Sequence, residues 1–227
     1  MLHTFTSSNI NHSHKPVQPQ HFNKDGNKMR TIRTKVYQFN ELTETAQQKA
    51  IEWALNAGLN TDYEWYDEIT GNFKENEDYF TITNTYFSGF YSQGDGAMFE
   101  YSGINKTFVD TIIDSLKLPN WKKEVLKHCI YVSGNGKQSG HYYHHKSVSH
   151  NIYVEADNGA QNYSNIEALI ELYTSEIEAA IIEKYEDMAK ELYKSLEKEY
   201  DYLCSKEAIE ETILANEYEF KADGTRF

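Results

Sequence analysis

The stretch Phe80-Thr-Ile-Thr-Asn-Thr-Tyr-Phe-Ser-Gly-Phe-Tyr91 sets β-branched and aromatic residues side by side and then breaks at Ser92-Gln-Gly-Asp-Gly96. Such residues suit a pleated, half-buried surface, and a polar break with two glycines turns the chain, so the segment reads as strand, loop, strand. Working outward, Cys129-Ile-Tyr-Val132 reads as another strand, followed by a glycine-rich loop over Ser133–Gly140, and Val148 to Glu155 alternates as a last sheet strand. Thr31 to Phe39 alternates upstream with a period of two, with either face able to be the buried one. Helical spacing fills the gaps. Thr45 and Gln48 stand in capping-box register ahead of Ala46, Ala50, Ile51, Ala54 and Leu55, with Gly58 as the stop. Thr61 and Glu64 repeat that spacing before Trp65, Ile69 and Phe73, which share a face. Asn105 or Thr107 caps a helix carrying Phe108, Ile112, Ile113 and Leu116, and Trp121 to Lys127 adds a short helical turn after Pro119. The expected fold is α+β: a central antiparallel sheet packed with helices.

From about Asn165 to Leu203, apolar residues recur every three or four positions without a proline or glycine. One helix of that length would extend about 58 Å. The sequence leaves open whether it projects, bends near Ser175 or Ser195, or pairs with a second copy as a homodimer. Ser205 opens a shorter helix, and Tyr218-Glu-Phe220 with Thr225-Arg-Phe227 reads as a terminal hairpin. Three regions follow: 1–28 as a flexible polar leader, 29–160 as the α+β domain, and 161–227 as long helix, short helix and hairpin packed on it. Met29 is a second candidate start, and the leader's His3, His12, His14 and His21 are too irregularly spaced to read as a metal motif.

Composition limits the function classes. In 227 residues, 39% hydrophobic and 14% aromatic content suffices for a substantial core. The 35 acids and 22 bases give a formal charge of −13, which favours a basic partner and opposes nonspecific capture of nucleic acid or anionic membrane. Cys129 and Cys204 are too few for a disulfide framework, and no apolar run approaches the roughly 20 residues of a membrane span. A cytoplasmic protein without membrane contact is the expectation.

Two loops concentrate chemistry-bearing residues. Ser92, Gln93 and Asp95 lie in the first, and His141, Tyr142, Tyr143, His144, His145 and His150 lie in or just after the second, Ser139–Tyr153. Asp-Gly between strands is itself a hairpin signal, so Asp95 suits a turn as well as a ligand. Read as extended, Gly140–Ser147 puts His141, Tyr143 and His145 on one face, with the two histidines about 7 Å apart along the strand. A divalent metal would then need a third ligand, such as His150 or Asp95; no motif of high specificity demands one, and no cofactor is expected. Ser88, Ser92, Ser139 and Ser147 are candidate nucleophiles without a glycine-serine elbow, so no catalytic residue is assigned. Glu64, Asp67 and Glu68 form an acidic face for a basic partner, and Lys122, Lys123 and Lys127 form the compact basic cluster that could touch RNA.

The opening Val36-Tyr-Gln-Phe-Asn-Glu-Leu-Thr-Glu-Thr-Ala-Gln-Gln-Lys-Ala-Ile-Glu-Trp53 and the ending Tyr200–Phe227 resemble a family of small phage and prophage proteins labelled as antitoxins of toxin–antitoxin stability systems. Phe87-Ser-Gly-Phe-Tyr-Ser-Gln-Gly-Asp-Gly96 and Gly140-His-Tyr-Tyr-His144 are similar to segments of its longer members. The resemblance implies a mobile-element protein that neutralises a host or competing activity, antitoxin-like or anti-CRISPR-like, and transfers no catalytic residue. The expected function is inhibition of a host defence or toxin component by protein contact. The alternatives are a nucleotide- or small-RNA-binding or hydrolytic protein with a Gln/Asp/His pocket, and an RNA-assisted inhibitor.

Overall fold

The computed structural model describes residues 32–62, 64–75, 78–157, 160, 163 and 165–227. The leader 1–28 and Met29 lie outside the described residues. Four strands form an antiparallel sheet in the order β2 (Phe80–Ser88), β3 (Gly96–Ile104), β4 (Ile130–Gln138), β5 (Val148–Ala156), and a two-residue β1 (Tyr37–Gln38) pairs separately with β6 (Glu219–Phe220). Of the strand expected over Thr31–Phe39, only β1 forms among the described residues; Phe39–Glu41 turns into a 3-10 helix closed by the Glu41 carboxylate on the Gln38 N–H at 2.8 Å.

Helices α3 (Lys106–Ser115), α4 (Asn120–Cys129) and α5 (Ile166–Leu203) pack on one face of the sheet. Their apolar stripes meet Phe80, Ile82, Phe99, Tyr101, Ile130 and Val132 in the main core. The opposite face carries Tyr131 and Tyr153, both exposed. This is an α+β fold with helices segregated to one side of an antiparallel sheet. α5 is one uninterrupted helix of 38 residues. The helix runs without a break through Ser175 and Ser195, and the Ser195 hydroxyl donates back to the Glu191 carbonyl at 3.0 Å. The buried stripe Ile170, Ile177, Ile181, Tyr185, Ala189, Leu192 and Leu196 is taken up by the sheet side of the molecule.

The glycine-rich run after Val132 is a strand, not the expected loop: β4 continues to Gln138. Gly134 and Gly136 are there for close approach. A Cβ on Gly136 would overlap the Tyr101 ring, and one on Gly134 would stand 2.8 Å from the Asn151 carbonyl oxygen. Tyr101 lies across Gly136, its register partner, and reaches His150 on β5.

The ends of the chain build a second, smaller core. Here α1 (Glu44–Asn56) packs on α6 (Lys206–Ala215), with Ala50, Ile51, Ala54, Ile209, Ile213 and Phe220 buried together. The α1 cap is Thr43, which accepts from the Ala46 N–H, two residues ahead of the expected Thr45 box. Trp53 stands edge-on to Tyr218 and Phe220, Arg226 lies over the Tyr218 ring at 4.7 Å, and Lys49 pairs with Asp223 at 2.9 Å. Asn60 ties this module to the end of α5, donating to the Leu203 carbonyl and accepting from the Thr212 hydroxyl.

Candidate functional site

The loop of residues 89–95 joins β2 to β3 at one end of the sheet. Its Asp95 carboxylate accepts from the Ser92 N–H at 2.7 Å, so this acid closes the turn rather than reaching outward. Phe90 packs among Trp65, Phe87, Tyr193 and Tyr200. Tyr91, in the left-handed region at φ 72°, turns outward, and its hydroxyl donates to the Asp201 carboxylate. The loop is therefore held on the C-terminal half of α5, with Ser92, Gln93 and Gly94 exposed.

Residues 139–147 join β4 to β5 at the same end. The segment is the loop that its composition announces, and the extended reading that would set His141, Tyr143 and His145 on one face does not hold. The Ser139 N–H donates to the Ser147 carbonyl, and the chain closes through a 3-10 turn, His145–Ser147. Tyr143 stacks on Tyr86 of β2 with ring centres 5.1 Å apart, and Tyr142 lies against Gly94. The His144 ring fills the space a Cβ on Gly96 would need, 2.6 Å from that position. The two loops thus form one surface, which joins Ser92, Gln93 and Asp95 to Tyr142, Tyr143, His144 and His145.

The histidines divide. His141 is exposed, edge-on to Tyr142. His144 and His145 lie ring to ring at 3.9 Å. Burial first, then repulsion from His144, holds His145 down to about 4; Lys190 and Lys146 add to this, and Glu186 opposes it. Burial, then Lys146, also lowers His144. His150 is separate, turned into the core; burial lowers it, its Nδ1 is 3.0 Å from the Tyr101 hydroxyl, and its ring meets Tyr185. His144 and His150 each hold a hydrogen bond, His144 Nδ1 accepting from the Lys146 N–H and His150 Nδ1 paired with the Tyr101 hydroxyl.

Tyr101 and Tyr185 join this region only through the fold. The ladder between β3 and β4 is short at this point, and the Tyr185 hydroxyl serves Phe99 instead, accepting from its N–H at 3.2 Å and donating to its carbonyl at 2.9 Å. Burial raises both tyrosines well above the ordinary range. Tyr185 reads in sequence as one more apolar position on a helix, which is why no signal marks it.

The remaining candidates are placed apart. Glu64, Asp67 and Glu68 are exposed at and just before the first turn of α2 (Asp67–Glu75), where they also complement the helix N-terminus. Asp67 borders a cleft of about 270 Å³ whose other walls include Tyr66, Lys74, Thr85, Tyr86 and Tyr143, so the acidic face adjoins the loop surface. Lys122 lies over Trp121, Lys123 donates to the Asp114 carbonyl, and Lys127 pairs with Asp114 at 2.7 Å and Glu124 at 3.3 Å, so most of the basic cluster is engaged where α3 meets α4. Among the described residues no three His, Cys, Asp or Glu side chains converge as metal ligands, and none of the helices is long and apolar enough to cross a membrane. Ser88 Oγ is buried without a hydrogen-bond partner among the described residues.

A helix-backed antiparallel sheet with its loops gathered at one end defines the architectural class. Within it, residues 65–206 match the model of a family described as a domain of unknown function, DUF8835, and the chain belongs to that family. The match ends at the start of α6 and leaves out β1, α1 and β6. No curated protein and no solved structure matches the chain.

Proposed function

We propose that this chain is a binding protein that grips a protein partner with its paired β2–β3 and β4–β5 loops, and that the partner is a host defence or toxin component inhibited by the contact. One observation carries the reading. The abutting loops leave Tyr91, Tyr142 and Tyr143 71%, 61% and 37% exposed, while Asp95, His144 and His150 are occupied inside the fold. Loops rich in tyrosine, serine and glycine on a rigid sheet provide large contact area at low entropic cost, as binding loops do elsewhere. Glu64, Asp67 and Glu68 beside the same surface, with the overall charge of −13, favour a basic partner such as a nucleic-acid-binding protein. The likeness of both chain ends to phage antitoxin-labelled proteins supports inhibition as the consequence of binding.

The test is tagged purification of the wild-type chain and of a Tyr142→Ala, Tyr143→Ala variant from defence-proficient cells, with mass spectrometry and sequencing of any nucleic acid. The expected result is a stoichiometric protein partner whose affinity falls at least roughly 30-fold in the variant, as loss of an aromatic hot spot does. Circular dichroism of the variant should match the wild type. Recovery of nucleic acid in place of a protein, or a partner retained equally by the variant, overturns the reading.

A further inference from the structure

β5 closes the sheet, and among the described residues its ladder runs only to β4, in unbroken register from Ile130↔Ala156 to Gln138↔Val148. The other edge is blunted: β2 carries register shifts between Phe80 and Asn84, and α2 packs against it. Bulges and covering elements are ordinary ways to stop an edge from pairing. The nine residues of β5, Val148-Ser-His-Asn-Ile-Tyr-Val-Glu-Ala156, include no bulge, proline or lysine. Alternate residues therefore aim N–H and C=O groups away from the sheet. Beside the Ala156 end, a groove of about 370 Å³ opens between β5 and α5, lined by Val154, Ala156 and Ile170 and rimmed by Glu167 and Glu171 of α5; Glu155 borders it from β5, on the sheet face it shares with Tyr131 and Tyr153. All three glutamates are exposed, and none enters an ion pair with another described residue.

We propose that this edge docks an extended lysine- or arginine-bearing segment of a protein partner, which adds a strand to β5 and lays alternate basic side chains over the groove. Ladder hydrogen bonds supply affinity, and the Glu167 and Glu171 carboxylates select a basic strand over an acidic one. They also disfavour a second copy of the same edge, which would bring the same two carboxylates. The surface is distinct from the loop pair, which lies at the Val148 end of β5.

The probe is a nine-residue peptide of alternating lysine and valine, compared with its glutamate counterpart and titrated into the full chain, with hydrogen exchange to locate protection. The expected outcome is salt-sensitive binding of the lysine peptide alone, slowed exchange along β5, and roughly tenfold weaker binding in Glu167→Lys, Glu171→Lys, both exposed helix positions, with melting lowered only slightly by the cation in the first turn of α5. Binding should persist in the Tyr142→Ala, Tyr143→Ala variant. Absence of binding, equal binding of the glutamate peptide, protection away from β5, indifference to the charge reversal, or a β5-paired dimer of the chain in sedimentation overturns the proposal.

Discussion

At the scale of single residues, the Tyr185 hydroxyl stands in for a missing stretch of β ladder. It answers both the N–H and the carbonyl of Phe99 in a fully buried position. Tyr185→Phe keeps the ring and its packing on Phe99 and Phe80 but leaves two backbone groups without their partner. The expected cost is about 1–3 kcal/mol, the penalty for a buried unsatisfied polar group, read as a lower urea midpoint with an unchanged slope. A midpoint equal to the wild type would show that water or β4 takes over the role. The glycine at 136 works in the same seam: it yields the space that Tyr101 occupies on its way to His150.

At the scale of elements, the β4–β5 loop couples the candidate site to pH. The His145–Ser147 turn lies against β3 and α5, with His144 and Lys146 on its own segment and Glu186 and Lys190 facing it from α5. His145 falls from an ordinary 6.5 to about 4 in the fold, so between those values the unfolded chain binds a proton that the folded chain does not. Its contribution to stability is complete above about pH 6.5 and is lost as pH falls through about 4. Melting temperature should therefore drop on acidification across that window, and His145→Gln should drop less. Equal pH profiles for the two proteins would remove His145 from the account. The same elements show what local sequence conveys. The composition of Ser92–Gly96 announces a turn, and Asp95 closes one, whereas the glycines of Ser133–Gly140 read as a loop and the fold extends β4 through them to Gln138.

At the scale of the whole molecule, the two chain ends meet in a module with its own core, outside the span of the family match. Phe220 is fully buried there against Trp53. Phe220→Ala should cost about 3–5 kcal/mol, the usual range for truncating a buried aromatic, and should act on this module first. The expected signature is an early transition in hydrogen exchange of α1 and α6 while β3 and β4 remain protected. Simultaneous loss of protection in both would show that the module and the sheet unfold as one unit.

The sequence by itself determined the α+β class, the long helix and the positions of both loops, because hydrophobic period and turn chemistry are local properties of the chain. It also marked residues at the loop surface, through glycine, tyrosine and histidine crowded into short segments. Only the tertiary structure decided which of them meet. Tyr142 against Gly94 and His144 against Gly96 are contacts between segments about 50 residues apart, and no local pattern encodes them. The same holds for the glycine strand, whose need for Gly134 and Gly136 arises from Tyr101 and Asn151 on neighbouring strands, and for the joining of β1 to β6. Long-range packing set these features, because each depends on the volume and direction of a side chain or backbone group from a distant part of the chain.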